Sequence, residues 1–216
     1  MIKVASLFTQ VLSLIDRAHF SKAVTQLEAE KGAKGFRCWE QLVSMLFCQL
    51  ASANSLREIC GGLATAMGKV KHLGIVRLPK RSTLSYANNH RPWQLYEKVF
   101  YQLYNQASAL AAKGKWRFRF KNPLYSIDSS TIDLCLSMYD WARFRRAKGA
   151  IKLHLMLDHQ GCLPCWALIT DGKTNDVKVG QKLSFAPDTV VVMDRGYIDY
   201  KWFQRLTADG AVFQSD

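Results

Sequence analysis

Two runs rich in apolar residues each end in an aspartate, and no other feature constrains the fold of this chain as tightly. Leu124-Tyr125-Ser126-Ile127 leads into Asp128, and Val190-Val191-Val192-Met193 leads into Asp194. Short apolar runs of this kind read as buried strands. Small or polar residues follow each aspartate, Ser129-Ser130-Thr131 in one case and Arg195-Gly196-Tyr197 in the other. That is how a strand delivers a carboxylate to an open sheet edge, where ligands of α/β sheets bind. Two such carboxylates can share a divalent cation, because Mg²⁺ takes one or two carboxylates together with phosphate oxygens and water. Taken singly, each aspartate also fits a turn, with Asp128 capped through Ser130 or Thr131 and Asp194 placed before Arg195-Gly196.

The periodicity of the chain changes at Pro123. Before it, the pattern is helical. Apolar residues at Val4, Leu7, Phe8, Val11, Leu12 and Ile15 share one helix face. A weaker helix follows over 20–30 and ends at Lys31-Gly32. Residues 38–51 are apolar nearly all round, as in the central helix of a small bundle. Asn54 or Ser55 can cap the next helix, which runs to about Met67, and Glu58 stands at capping-box spacing from Ser55. A short helix starts at Ser82, and Pro92 opens a long one to about Ala112. After Pro123 the spacing predicts strands at 124–128, 150–158, 163–170 and 189–193, a turn at 159–161, helices at 177–184 and 200–208, and a strand beginning at Ala211. The fold class is therefore α/β, with an N-terminal helical domain (1–76), a helical basic connector (77–122) and a mixed-sheet domain (123–216).

Charge follows the same division. Residues 1–122 hold 19 Lys/Arg against 6 Asp/Glu, and residues 123–216 hold 11 of each, so the first part carries the whole formal charge of +13. Such asymmetry suggests nucleic-acid or membrane contact. The stretch from Lys113 to Lys121 alternates bases with aromatics, and Lys115, Arg117 and Arg119 in it are candidate phosphate contacts. A second basic cluster, Arg143, Arg145, Arg146 and Lys148, lies between the first two strands of the second part. Its phosphate contacts would position DNA without reading sequence. There is no run of about 18 apolar residues, so no membrane span is expected. The six cysteines are scattered, and Cys162 and Cys165 form a lone C-x-x-C that reads as a hairpin, which suits a reducing cytoplasm. Asp133, Asp140, Asp158, Asp171, Asp176 and Asp199 read as surface, turn or cap residues, and His154 as a packed or edge-facing histidine.

Several blocks in order carry a resemblance: Ile127-Asp128-Ser129-Ser130-Thr131-Ile132, Trp141-Ala142-Arg143-Phe144-Arg145, Lys148-Gly149-Ala150-Ile151-Lys152-Leu153-His154, Asp158-His159-Gln160-Gly161, Ile169-Thr170-Asp171-Gly172-Lys173 and Met193-Asp194-Arg195-Gly196-Tyr197. This stretch resembles the catalytic domain of bacterial insertion-sequence transposases of the DDE, ribonuclease-H-like type, in the family with a Tyr-Arg-Glu-Lys signature. Residues 1 to about 75 look like the helical domain of unassigned function often joined to such enzymes. The resemblance implies that Asp128 and Asp194 are the first two carboxylates of the catalytic triad, holding Mg²⁺ or Mn²⁺. It implies double-stranded DNA as partner, at the terminal inverted repeats of the element and at its target, in the bacterial cytoplasm at the nucleoid; it leaves a homo-oligomer open.

One departure stands out. The family's third carboxylate is a Glu after the second aspartate, and this chain has no Glu after Glu97. The expectation is a C-terminally truncated transposase with an incomplete ribonuclease-H-like domain, weak or inactive as a nuclease by itself. The rival expectation is a non-catalytic DNA-binding remnant that occupies element ends or modulates intact transposase.

Overall fold

A computed structural model describes residues 7–65, 72–114, 118–134, 143–145 and 148–215. The chain divides into two compact units, residues 1–103 and 104–216.

The first unit is helical. It contains α1 (Leu7–Ser13), α2 (Arg17–Gln26), α3 (Cys38–Leu50), α4 (Leu56–Thr65), α5 (Arg81–His90) and the start of α6 (Gln94–Ala111). Local chemistry sets the helix starts. The Asp16 carboxylate accepts the backbone N–H groups of Ala18 (2.8 Å) and His19 (3.1 Å), which caps α2. At α4 the Glu58 N–H donates to Ser55 Oγ at 3.2 Å, while the Glu58 carboxylate accepts the Asn54 N–H at 2.8 Å. Ser55 and Glu58 meet at the helix start as their spacing suggests, but the carboxylate takes the Asn54 amide, one residue before the amide of a true capping box. The core gathers Phe20, Trp39, Leu42, Val43, Ile59, Leu63, Leu84 and Leu95. In α3 the residues from Cys38 to Ser44 are buried, whereas Leu50 at its far end is exposed, so only the first half of this helix is central.

The second unit is a mixed sheet with helices. Its strands are β1 (Leu124–Leu134), β2 (Arg143–Arg145), β3 (Lys148–Asp158), β4 (Leu163–Asp171), β5 (Val190–Met193) and β6 (Val212–Ser215), with α7 (Asp176–Gly180) before β5 and α8 (Tyr200–Ala208) after it. The lateral order is β6, β5, β1, β3, with β4 and the short β2 both paired to β3. β1 runs antiparallel to β3 and parallel to β5, and β5 runs parallel to β6. This is the order of a ribonuclease-H-like sheet, as expected. β1 is longer than its apolar run, because Ser129 to Leu134 keep pairing with His154 to Gly149 after β5 has ended. The core of this unit is Ile127, Val191, Met193, Tyr197, Trp202, Leu206 and Ala211. α7 can pack on Trp202 because Gly180 has no side chain: a Cβ there would stand 2.7 Å from the indole ring. Among the described residues no helix is long and apolar enough to cross a membrane.

Candidate active site

The parallel pairing of β1 with β5 ends at Ile127 opposite Met193. The next residues are Asp128, still within β1, and Asp194, just past β5, so the register sets both aspartates at neighbouring positions where β5 ends, on strands about 4.8 Å apart. Both are exposed. Each carboxylate is steadied by backbone through one oxygen. Asp128 Oδ1 accepts the Ser129 N–H at 2.7 Å, and Asp194 Oδ1 accepts the Gly196 N–H at 2.9 Å. The Asp194 bond caps a 3₁₀ turn over Arg195–Tyr197.

A polar cluster lies next to this pair, on β3, β4, α7 and the 3₁₀ turn. Lys152 Nζ donates to both oxygens of Asp176, at 3.0 and 3.1 Å, with the two side chains only 19% and 17% exposed. Asp176 opens α7 at the residue after its Asn175 cap, where the sequence pattern by itself suggests a surface or cap residue. Its position is instead a half-buried ion pair, and no local signal marks it, because its partner lies 24 residues away on another strand. A Cβ at Gly196 would meet Asp194 Oδ1 at 3.0 Å and Asp176 Oδ2 at 3.2 Å. The two carboxylates thus crowd the space that only a glycine leaves.

His154 is fully buried, as its packed reading anticipated. Its Nε2 lies 3.0 Å from Thr170 Oγ1, its Nδ1 lies 3.3 Å from the Tyr197 hydroxyl, and the same Nδ1 is 3.6 Å from Asp176 Oδ1. Burial lowers its pKa from the ordinary value, and Lys152 acts in the same direction, against the nearby Asp176. Burial, reinforced by Asp176, raises the pKa of Tyr197 well above that of a free phenol, so its hydroxyl keeps its proton.

The other candidates are dispersed. Arg119 is exposed. Arg143 and Arg145 form β2, and Lys148 begins β3. Lys115, Arg117 and Arg146 lie outside the described residues. Asp158 accepts the Gln160 N–H at 2.8 Å in the 159–162 turn, and Asp199 accepts the Trp202 N–H at 2.7 Å as the cap of α8, so these two are the turn and cap residues expected. In the C-x-x-C pair the Cys165 thiol donates to the Met156 carbonyl and is pushed up to about 11 by burial.

Two exposed carboxylates on adjoining strands, each with a second oxygen outside its backbone bond, suit a hard cation that also keeps water and phosphate oxygens. Among the described residues no group of three or more His, Cys, Asp or Glu is placed to hold a metal ion.

Comparison with known proteins bears on this pair directly. Residues 119–215, which contain both aspartates, match the family described as Transposase DDE domain, and residues 3–76 match a Domain of unknown function (DUF4372). The protein y4zB of Sinorhizobium fredii (strain NBRC 101917 / NGR234), which bears a transposase name, is 26% identical over 157 residues, 72% of this chain and 42% of its own. Residues 119–215 are thus similar to the DDE domain of transposases, and the relatives bear transposase names. A second relative, "Probable transposase for insertion sequence element IS5377" of Geobacillus stearothermophilus, is 24% identical over 132 residues, 61% of this chain and 34% of its own. The chain therefore spans less than half the length of either transposase. A solved piggyBac transposase synaptic complex with hairpin DNA aligns at a TM-score of 0.41 and 11% identity, over 95% of this chain and 47% of that one. Divalent metal ions are the general cofactors of DDE transposases, and the exposed, paired aspartates are compatible with that chemistry.

Proposed function

We propose that this chain is the part of a DNA transposase that contributes Asp128 and Asp194 as cation ligands for strand cleavage and transfer at the ends of an insertion sequence. The observation behind the reading is the β1–β5 register, whose last pair is Ile127 opposite Met193, so that the next residue on each strand is Asp128 and Asp194. Asp128 and Asp194 would hold Mg²⁺ or Mn²⁺. When bound, such ions activate the attacking oxygen and neutralise charge on the leaving oxygen. The chain's own part is to keep the carboxylates still and exposed. The Ser129 and Gly196 amides fix one oxygen of each. In-line displacement at phosphorus depends on such positioning and charge neutralisation more than on covalent help from the protein. DNA would be held through phosphate by the excess of Lys and Arg in residues 1–122, including Lys115, Arg117 and Arg119, and by Arg143, Arg145, Arg146 and Lys148.

A second reading is favoured by one observation: residues 1–122 hold 19 Lys/Arg against 6 Asp/Glu, an excess that suits phosphate contact with or without strand cleavage. In that reading this chain binds DNA ends without cutting them.

A cleavage assay on DNA bearing the element's inverted repeats, with Mg²⁺ or Mn²⁺, separates the two. The transposase reading expects strand breaks that vanish in Asp128→Asn and Asp194→Asn while salt-sensitive DNA binding persists. Binding with no breaks in wild type or variants supports the second reading. Breaks that survive both substitutions contradict the assignment of these aspartates.

A further inference from the structure

Gly196 is the middle residue of the 3₁₀ turn over Arg195–Tyr197 that Asp194 caps. Its N–H holds Asp194 Oδ1 at 2.9 Å. Its missing side chain leaves a space that two carboxylates border: a Cβ there would stand 3.0 Å from Asp194 Oδ1 and 3.2 Å from Asp176 Oδ2. Both values are shorter than an ordinary van der Waals separation. The backbone does not ask for glycine, because the dihedral angles of a 3₁₀ turn are open to ordinary L-residues. Glycine is needed here because the two carboxylates come so close.

Lys152 decides which of the two can move. From β3 its Nζ donates to both oxygens of Asp176, at 3.0 and 3.1 Å, and the two side chains are mostly buried. The fully buried His154 stands with Nδ1 3.6 Å from Asp176 Oδ1. The backbone around Asp176 is fixed as well, because the Val177 N–H donates to the Asn175 side chain at 3.1 Å. Asp176 is therefore held by groups on β3 and at the start of α7. Asp194, by contrast, is exposed, and its Oδ1 rests on the Gly196 amide. The held carboxylate limits where the exposed one can stand. Two neighbouring carboxylates repel each other, and the Lys152 charge offsets that of Asp176, which lets the two share this border.

We propose that Asp176, anchored by Lys152, is a positioning residue for the cation site: it bounds the space beside Gly196 and so keeps the Asp194 carboxylate seated on the Gly196 amide. The proposal rests on the reading of Asp128 and Asp194 as cation ligands. Groups that orient metal ligands typically change metal affinity about 10- to 100-fold when removed.

The test is Mn²⁺ affinity of the 216-residue chain, read from the electron paramagnetic resonance signal of free Mn²⁺, with a thermal melt of each protein. Gly196→Ala pushes a methyl group between the two carboxylates and is expected to weaken Mn²⁺ binding about tenfold. Lys152→Met with Asp176→Ala removes the boundary without stranding a charge, and is expected to do the same. Adding Gly196→Ala to that pair is expected to lose little more, because both changes act on one seat. Asp176→Asn keeps the shape and an oxygen for Lys152, and is expected to bind Mn²⁺ nearly as wild type does. Leu206→Val loosens the core of this unit and is expected to lower the melting temperature with Mn²⁺ affinity unchanged. Wild-type affinity in Gly196→Ala, or losses that multiply in the triple variant, overturn the proposal whatever the melting temperatures. So does an Asp176→Asn loss as large as that of Asp194→Asn, which would make Asp176 a ligand itself, or a Leu206→Val loss equal to that of Gly196→Ala. If the Lys152 and Asp176 pair variant does not fold, Asp176→Ala alone decides in its place, since the Lys152 stem can carry its charge to solvent. If Asp128→Asn and Asp194→Asn also bind Mn²⁺ as wild type does, the cation reading itself has failed and the proposal falls with it. If those two lose binding and the Gly196 and Asp176 variants do not, the proposal alone has failed.

Discussion

Each unit of the chain withdraws a cation from solvent, and the two cations are held in different ways. In the helical unit Arg91 donates to Gln41 Oε1 at 3.0 Å and to the Phe36 carbonyl, and it lies 5.4 Å from the centre of the Phe36 ring. Gln41 passes the network on to Asn88 at 2.7 Å. These partners are neutral. In the sheet unit Lys152 is held by the carboxylate of Asp176. The Arg91 network fastens the end of α5 to α3 and to the loop before it. The Lys152 pair sits against Gly196, where Asp194 also turns. The contrast separates a cation that joins helices from a cation that compensates a carboxylate crowded against a site. A neutral acceptor that loses its donor is a smaller loss than a half-buried charge that loses its partner.

The largest effect is expected from Lys152→Met, which strands Asp176. About 3 kcal/mol of stability is expected to go, the low end for a buried pair because both side chains keep some solvent. Urea unfolding followed by the fluorescence of Trp202 measures it. Arg91→Met is expected to cost less, about 1–2 kcal/mol, because it leaves only the neutral acceptors Gln41 and Phe36 short of a donor. Equal losses in the two variants would erase the distinction between the networks.

The sheet network also carries a pH dependence. Burial holds the folded His154 pKa below that of the unfolded chain. The unfolded state then binds more protons in acid, so the stabilising share of His154 is complete above about pH 6.5 and is lost as pH falls below it. Urea midpoints of the sheet unit are expected to drop between pH 7.5 and pH 5.5, and His154→Asn to flatten that slope. A slope unchanged in His154→Asn would place the titration elsewhere. The smallest effect belongs to the helical unit, where Ser55→Ala removes the α4 cap and is expected to cost about 1 kcal/mol. Hydrogen exchange along 56–65 reads it, and unchanged protection there would show that Ser55 does not hold the helix start.

The legibility of these two regions in the sequence differs for a physical reason. Helix starts are local, so Asp16 and Ser55 stand close to the amides they cap, and the Ser55–Glu58 pairing could be read directly. Strand β5 and helix α8 were equally plain, because an apolar run and a 3.6-residue period need no partner to be seen. Asp128 and Asp194 were legible as strand-end carboxylates, and their side-by-side placement then followed from the register. Asp176 was not legible, because one polar residue at the start of a five-residue helix looks like any cap, and only the fold brings Lys152 to it. Tyr197 was visible as part of Asp194-Arg195-Gly196-Tyr197, but its contact with His154 depends on two distant segments meeting. The far half of β1 was missed for a similar reason: Ser129 to Asp133 are mostly polar, and pairing with β3 holds them extended.

The central claim is that Asp128 and Asp194 form one cation site. It is tested most directly by adding Mn²⁺ to the isotopically labelled chain and following the broadening of backbone amide signals by nuclear magnetic resonance. The account predicts that the Ser129 and Gly196 signals broaden first and together, and that Asp128→Asn or Asp194→Asn abolishes the broadening at both. Sharp signals at Ser129 and Gly196, with broadening centred on another carboxylate such as Asp158 or Asp209, would contradict it.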